Sequence, residues 1–358
     1  MPLSHKLRFA AVVSFSAVAL SACQSWNPLE TQAAAEAKTA SGGPQSTLDP
    51  SLFVAGALAS EPTIVDCTLE DGSQTTCYKI TATGVPAGQV VGPFCPSNIS
   101  DNDPDNSGIW FHESGTDGIV DLKGSFIEGL ATTYNDDKWK LYDDATGAVR
   151  VTDTQVACEG AARPDVAEEY KNYCVECAMD YIDGGIAVTY LIPTAPVPAD
   201  ELGRIRQVGV ALNGIELSAP APVNDILSNY TIAAFDDCGG HINTHQGYHY
   251  HAATGCSEVG TQEDGHAALL GYALDGYGIY GMRDANGEEE MLDECRGTTD
   301  DIRGYHYHAA SPGENMFIGC FHGKTVKVDR AQGGPPGGQP PGGGPPPDGE
   351  PPEGAPPE

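Results

Sequence analysis

Basic residues are scarce in this chain. Lys and Arg number 18 against 50 Asp and Glu, for a formal net charge of −32 at pH 7. Binding of nucleic acid is excluded on that balance, because phosphates are neutralised by Lys and Arg. So is electrostatic adhesion to anionic lipid. A strongly acidic surface suits solubility and the attraction of cations. Long apolar runs are missing too. Beyond the first twenty or so residues, no stretch reaches the roughly 18 apolar residues that a membrane-spanning helix requires. Several catalytic signatures are also absent: there is no G-x-S-x-G elbow, no phosphate-binding glycine loop and no H-E-x-x-H zinc helix. Cys174-x-x-Cys177 is the chain's one C-x-x-C, so a four-cysteine structural zinc site is not expected.

The N-terminus carries an export pattern. Lys6 and Arg8 precede an apolar run from Phe9 to Leu20, and small residues follow in Leu20-Ser-Ala-Cys23. A basic flank, a short apolar core and small residues before the cut make a secretory signal. The LSAC ending resembles a bacterial lipoprotein signal, which implies lipidation of Cys23, and Gln24 after it implies sorting to the outer membrane. The expected organisation is a signal over 1–22, a flexible tether over 23–60, a β-rich region over 61–183, a histidine-rich domain over 184–330 and a Pro/Gly-rich tail over 331–358. The cell envelope is the expected location, with the membrane reached through lipid on Cys23.

Of the 11 cysteines, all but Cys23 remain for pairing in an oxidising compartment, an even number that predicts five disulfides. Local spacing favours Cys67 with Cys77, Cys238 with Cys256 and Cys295 with Cys320. Cys174 and Cys177 are read as members of structural disulfides and not as a redox pair, since no thioredoxin-like βαβ pattern surrounds them. Short β-branched or aromatic runs bounded by Gly, Pro, Asn and Asp recur at 186–192, 205–217, 230–235, 269–274 and 324–328. The expected fold class is therefore mainly β, with α+β as the alternative. The best helical pattern runs from Val166 to Ile182.

The strongest signal is a repeat. DDCGGHINTHQGYHYHAA from Asp236 aligns without a gap to DECRGTTDDIRGYHYHAA from Asp293, with ten of eighteen positions identical. An internal duplication follows. On a strand, His249 and His251 share one face while Tyr248 and Tyr250 share the other, and His306 and His308 do the same in the second copy. Neutral imidazoles presented in this way suit zinc, copper, nickel or iron. The candidate ligands are His241, His245, His249, His251, His266, His306 and His308, with copper or zinc as the ion. Carboxylates at Asp236, Asp237, Asp275 and Asp293 are candidates for orienting the rings through their second nitrogen. The competing reading is a buried His/Tyr network that only holds the core together. Separately, Asp101, Asp103 and Asp105 alternate as in the opening of a calcium loop. There Pro104 intrudes, Asn106 holds the glycine place and His112 stands where a glutamate belongs.

VGVALNGIEL, DDCGGH, GYHYHAA, HAALLGYALDGYGIYG, LDEC, the second GYHYHAA and IGCFHG, in that order, resemble the YHYH-domain proteins, and the resemblance covers roughly Val188 to Gly323. By position, the resemblance implies motif histidines at 241, 249, 251, 266, 306 and 308. Two departures from the family pattern are Gly278 in place of proline and His322 in place of a basic residue. The resemblance implies no reaction. Three functions stay open at this point: a metal-binding envelope protein, a metal-dependent hydrolase or oxidoreductase, and a disulfide-rich interaction module with structural histidines.

Overall fold

A computed structural model of the protein describes residues 48–327. The signal over 1–22, Cys23, most of the tether over 23–60 and the tail over 331–358 lie outside the described residues. The segments 61–183 and 184–327 belong to one compact unit. Among the described residues no helix is long and apolar enough to cross a membrane.

Three strands form a first antiparallel sheet: β1 (Thr63–Thr68), β2 (Gln74–Ala82) and β3 (Val188–Pro193), with β2 in the middle. Alternation along β2 puts Ile80 and Ala82 on one buried face, while Cys77 is buried on the other, disulfide-bonded to Cys67. Eight short strands form the main sheet: β4 (Gln207–Ala211), β5 (Glu216–Ser218), β6 (Gly240–Asn243), β7 (Gly247–Tyr250), β8 (Leu269–Ala273), β9 (Gly278–Tyr280), β10 (Gly297–Asp300) and β11 (Gly304–His308). Their order is β6-β7-β5-β4-β8-β9-β11-β10. The order is palindromic. Strands β4 to β7 form one half and β8 to β11 the other, and the halves meet at the antiparallel β4–β8 pair.

The pairing has the same symmetry. Ala211, Val210 and Gly209 face Gly271, Tyr272 and Ala273. Leu212 donates its N–H to the Leu270 carbonyl, and Leu274 donates to that of Val208. In each half a parallel pair joins the motif strand to its neighbour, Tyr250 to Leu217 in one and Tyr307 to Ile279 in the other. The duplicated unit is thus four strands long, wider than the eighteen aligned residues. Its first strand and the turn after it align as GVALNG (209–214) with GYALDG (271–276). Both central glycines are required, because an added Cβ at Gly209 would lie 2.0 Å from the Tyr272 carbonyl oxygen and one at Gly271 2.2 Å from that of Val210.

Both faces of the main sheet are buried. Val210, Leu212, Leu269 and Tyr272 pack against Ile80, Ala82, Tyr190 and Ile192 of the first sheet. On the other face Tyr250, Tyr307, Leu217, Ile279, Phe317 and Phe321 share a core with Cys158 and Cys177. Burying each such side chain stabilises the fold by roughly 1.5–3 kcal/mol. A third core joins the hairpin around Ile109, Trp110 and Phe111 to an α-helix at Gly124–Thr133 and to Phe235.

Five disulfides brace this arrangement: Cys67–Cys77, Cys95–Cys174, Cys158–Cys177, Cys238–Cys256 and Cys295–Cys320. The helix expected over Val166–Ile182 does not form. A 3-10 turn at Glu168–Tyr170, a strand at Cys174–Val175 and a second 3-10 turn at Met179–Ile182 take its place. Cys174 and Cys177 are tied to Cys95 and Cys158, and Val151 and Ile232 lie beside Cys174 as bridge or strand partners, which holds the segment extended. Helix occurs instead at Gly124–Thr133 and at Gln155–Ala161.

Candidate metal centres

Strands β7 and β11 turn their tyrosines toward the shared core, so their histidines emerge on the opposite face. Each pair is joined by a third histidine. In the first half it is His241 on β6, directly across from His249. In the second half the equivalent position, across from His306, is Thr298. The third ring there comes from His266, on the segment leading into β8. The result is two groups, His241/His249/His251 and His266/His306/His308, each able to offer three ligand atoms within 4.8 Å of one another. Motif strands β7 and β11 are five positions apart in the sheet order, which puts the groups roughly 24 Å apart at ordinary strand spacing. These are two separate centres.

Backbone carbonyls fix the ring tautomers. Nδ1 of His249 lies 3.0 Å from the Gly247 oxygen, and Nδ1 of His251 lies 2.7 Å from that of Ala219. In the second group the partners are Gly304 for His306 (2.9 Å), Gly281 for His308 (2.9 Å) and Ala267 for His266 (3.1 Å). A carbonyl only accepts, so each of these Nδ1 atoms carries the hydrogen and each Nε2 keeps its lone pair. In the second group those lone pairs converge, with Nε2 of His266 and Nε2 of His306 3.1 Å apart; in the first, Nε2 of His241 lies 3.1 Å from that of His249. Nε2 of His308 is buried with no hydrogen-bond partner. Ligand nitrogens around a tetrahedral zinc at 2.0–2.1 Å are about 3.3 Å apart, close to this spacing.

His241, His249, His251, His306 and His308 are held neutral. Burial pushes His241 and His249 below the usual imidazole range, with the Glu216 carboxylate partly opposing the shift at His249. Burial takes His251 down to about 3 and His308 to about 4, and it lowers His306 as well. A neutral imidazole is the form that ligates a metal. Aromatic rings wall both centres. Phe235 packs on His241 and His251 at 4.7 and 5.6 Å, and Tyr280 packs on His266 and His306 at 4.8 and 5.2 Å.

The remaining candidates lie elsewhere. His245 is exposed, beyond the end of β6, and belongs to neither group. The carboxylates do not orient the histidines. Asp236 accepts from the Tyr248 hydroxyl at 2.7 Å and Asp293 from the Tyr305 hydroxyl at 2.9 Å. Asp275 accepts from the Tyr307 hydroxyl at 2.6 Å, and Asp237 is exposed. The alternation that turns the histidines one way turns the tyrosines to these acids, and backbone carbonyls do the orienting instead. His322 stacks on Tyr305 at 3.9 Å. Asp101 and Asp103 accept from the backbone N–H groups of Asp103 and Asp105 in a local turn, and Asp101 also accepts from the Asn106 amide. Among the described residues the two histidine groups alone have metal-holding geometry, and 101, 103 and 105 are not in it. One buried acid went unnoticed in the sequence. Glu216 on β5 pairs across from His249, and a lone Glu in a strand pattern gives no sign of that role.

A surface cleft lined by Ser114, Asp117, Lys123, Thr254, Glu258 and Arg283, among others, holds none of the six histidines. No curated protein and no solved structure matches the chain. Residues 189–289, which include the first histidine group whole and His266 of the second, match the family model described as YHYH protein, which identifies a YHYH domain over that stretch.

Proposed function

We propose that the protein is a lipid-anchored envelope protein that binds transition-metal ions, copper or zinc, at the two three-histidine centres. The observation that carries this reading is the convergence of lone pairs at His266, His306 and His308. With all three Nδ1–H groups committed to carbonyls, the three Nε2 atoms have no hydrogen to share between them. Facing acceptors repel, and an unsatisfied buried acceptor costs roughly 1–3 kcal/mol. A cation coordinated by all three satisfies them together. A purely structural His/Tyr network would leave the His308 Nε2 without a partner.

Two further observations support the reading. The duplicated halves have each acquired a third histidine, one from strand β6 and one from the segment before β8, which a packing role does not require. The centres also lie outside the surface cleft beside Asp117 and Arg283, which suits an ion as ligand better than a large substrate. The export pattern at Lys6 to Cys23 supports the envelope location.

The test is elemental analysis of the full chain, exported through an oxidising compartment without an affinity tag and compared with His249→Ala/His251→Ala and His306→Ala/His308→Ala double variants. About two ions per chain are expected, with one lost in each variant. No metal in any of the three, after incubation with zinc and copper, would return the histidines to packing.

A further inference from the structure

The two centres share their motif histidines but not their surroundings. Beside His249 is Glu216, 7% exposed. Its carboxylate accepts from Ser218 Oγ at 2.7 Å and from Gln246 Nε2 at 2.6 Å, both neutral donors. No ion pair among the described residues includes it. A buried carboxylate without a cation is costly, and such groups are ordinarily paired or placed beside a metal. The positive charge that Glu216 lacks is the one an ion at His241/His249/His251 would bring.

In the other half the internal symmetry places Gly278 where Glu216 stands and Tyr280 where Ser218 stands. The Tyr280 ring fills the space. An added Cβ at Gly278 would lie 3.1 Å from a Tyr280 ring carbon, and the same ring packs on His266 and His306. Beyond that ring is a cation, the Arg303 guanidinium, 5.6 Å from the ring centre. It is held by Asp300 and Asp264 at 2.5 Å each. The second centre is thus an imidazole cage with an aromatic wall, and the carboxylates beside it, Asp264 and Asp300, are already paired with the Arg303 cation.

We propose that the centres hold different ions: a divalent ion, Zn(II) or Cu(II), at His241/His249/His251, and monovalent Cu(I) at His266/His306/His308. The inference rests on the metal-binding reading above. Three neutral imidazoles leave a divalent ion with its full charge in a dry site. A nearby buried carboxylate offsets half of it, and its effect is large where the surroundings are apolar. Without that carboxylate, the lower-charged ion is favoured, since the shell around a metal sets its preferred oxidation state.

Single-centre variants of the full chain test this. His266→Ala leaves the first centre and His241→Ala the second, and both replaced rings are only half-buried. Dissociation constants are measured by competition with chromophoric chelators, for Zn(II) in air and for Cu(I) under anaerobic conditions. The ratio of Zn(II) to Cu(I) affinity is expected to be at least tenfold higher at the first centre. In the His266→Ala background, Glu216→Gln is expected to weaken Zn(II) on the order of 10- to 100-fold, the usual cost of losing an outer-shell partner, and to alter Cu(I) binding far less. The comparison of the two single-centre variants leaves Glu216 untouched, so it decides the matter even if Glu216→Gln fails to fold. Equal ratios at the two centres in a protein that loads two ions would overturn this inference alone. A wild-type chain that takes up neither ion would overturn the metal reading itself.

Discussion

Val210 and Tyr272 face each other at the centre of the eight-stranded sheet, and every pair on one side of them recurs on the other with the halves exchanged. Ala211 with Gly271 becomes Ala273 with Gly209. The consequence reaches the sheet's ends, where His241 stands across from His249 and Thr298 across from His306. Thr298→His should therefore place a ring where His241 sits in the first half. The variant His266→Ala is expected to lose the ion of the second centre, and His266→Ala/Thr298→His to regain it. Ion stoichiometry reads both. Failure of the double variant to recover metal, with the fold intact by circular dichroism, would contradict the equivalence of the two positions.

The same symmetry offers a comparison of burial. Tyr248 donates to Asp236, which is 1% exposed, while Tyr305 donates to Asp293, which is exposed. Removing a partner matters when the group left behind is out of water. Tyr248→Phe is expected to cost about 1–3 kcal/mol and Tyr305→Phe under about 1 kcal/mol, measured by chemical denaturation. Equal losses would mean that the hydroxyls act through packing instead.

The duplication and the strand character were legible because YHYHAA is long and its alternation has a single geometric meaning. His245 misled because an H-x-x-x-H spacing suits a helix face, whereas β6 ends at Asn243 and the chain turns before His245. His266 could be named but not assigned, since its place depends on long-range pairing that brings the approach to β8 beside β11. Glu216 was invisible for the same reason: its parallel neighbour His249 lies on a strand with β6 between them in sequence. The helix expected over Val166–Ile182 shows local pattern losing to covalent ties, since Cys174 and Cys177 are bound to separate elements.

Loop length ranks those ties. Cys95–Cys174 closes 79 residues and Cys67–Cys77 closes ten. On chain entropy alone the first contributes about 4.5 kcal/mol and the second about 2.7 kcal/mol. Replacing Cys95 and Cys174 together by serine is expected to lower the thermal midpoint more than replacing Cys67 and Cys77. The opposite order would mean that strand pairing, not loop closure, sets their worth.

Acid should destabilise the metal-free protein. His251 and His308 are pushed by burial to about 3 and about 4, against an ordinary value of 6.5. Below pH 6.5 the unfolded chain takes up protons that these folded rings refuse, so stability contributed by them is full above that pH and falls as pH drops toward 4. Asp236 and Asp275, pushed upward by burial, act with the opposite sign. Their folded forms hold protons longer, which favours folding at the acid end and is lost as pH rises through their folded values. The histidine slope is isolated by repeating the pH series on His251→Asn/His308→Asn. A flatter curve between pH 6.5 and 4 is expected; an unchanged one would mean the rings already titrate as they do in water.

The most direct measurement is an X-ray absorption spectrum at the metal edge of the zinc-loaded full chain. Three imidazole nitrogens at about 2.0 Å, with the multiple scattering of histidine rings, are the predicted first shell, leaving a fourth position for solvent. A first shell of oxygens alone, as on a surface carboxylate cluster, would contradict the account.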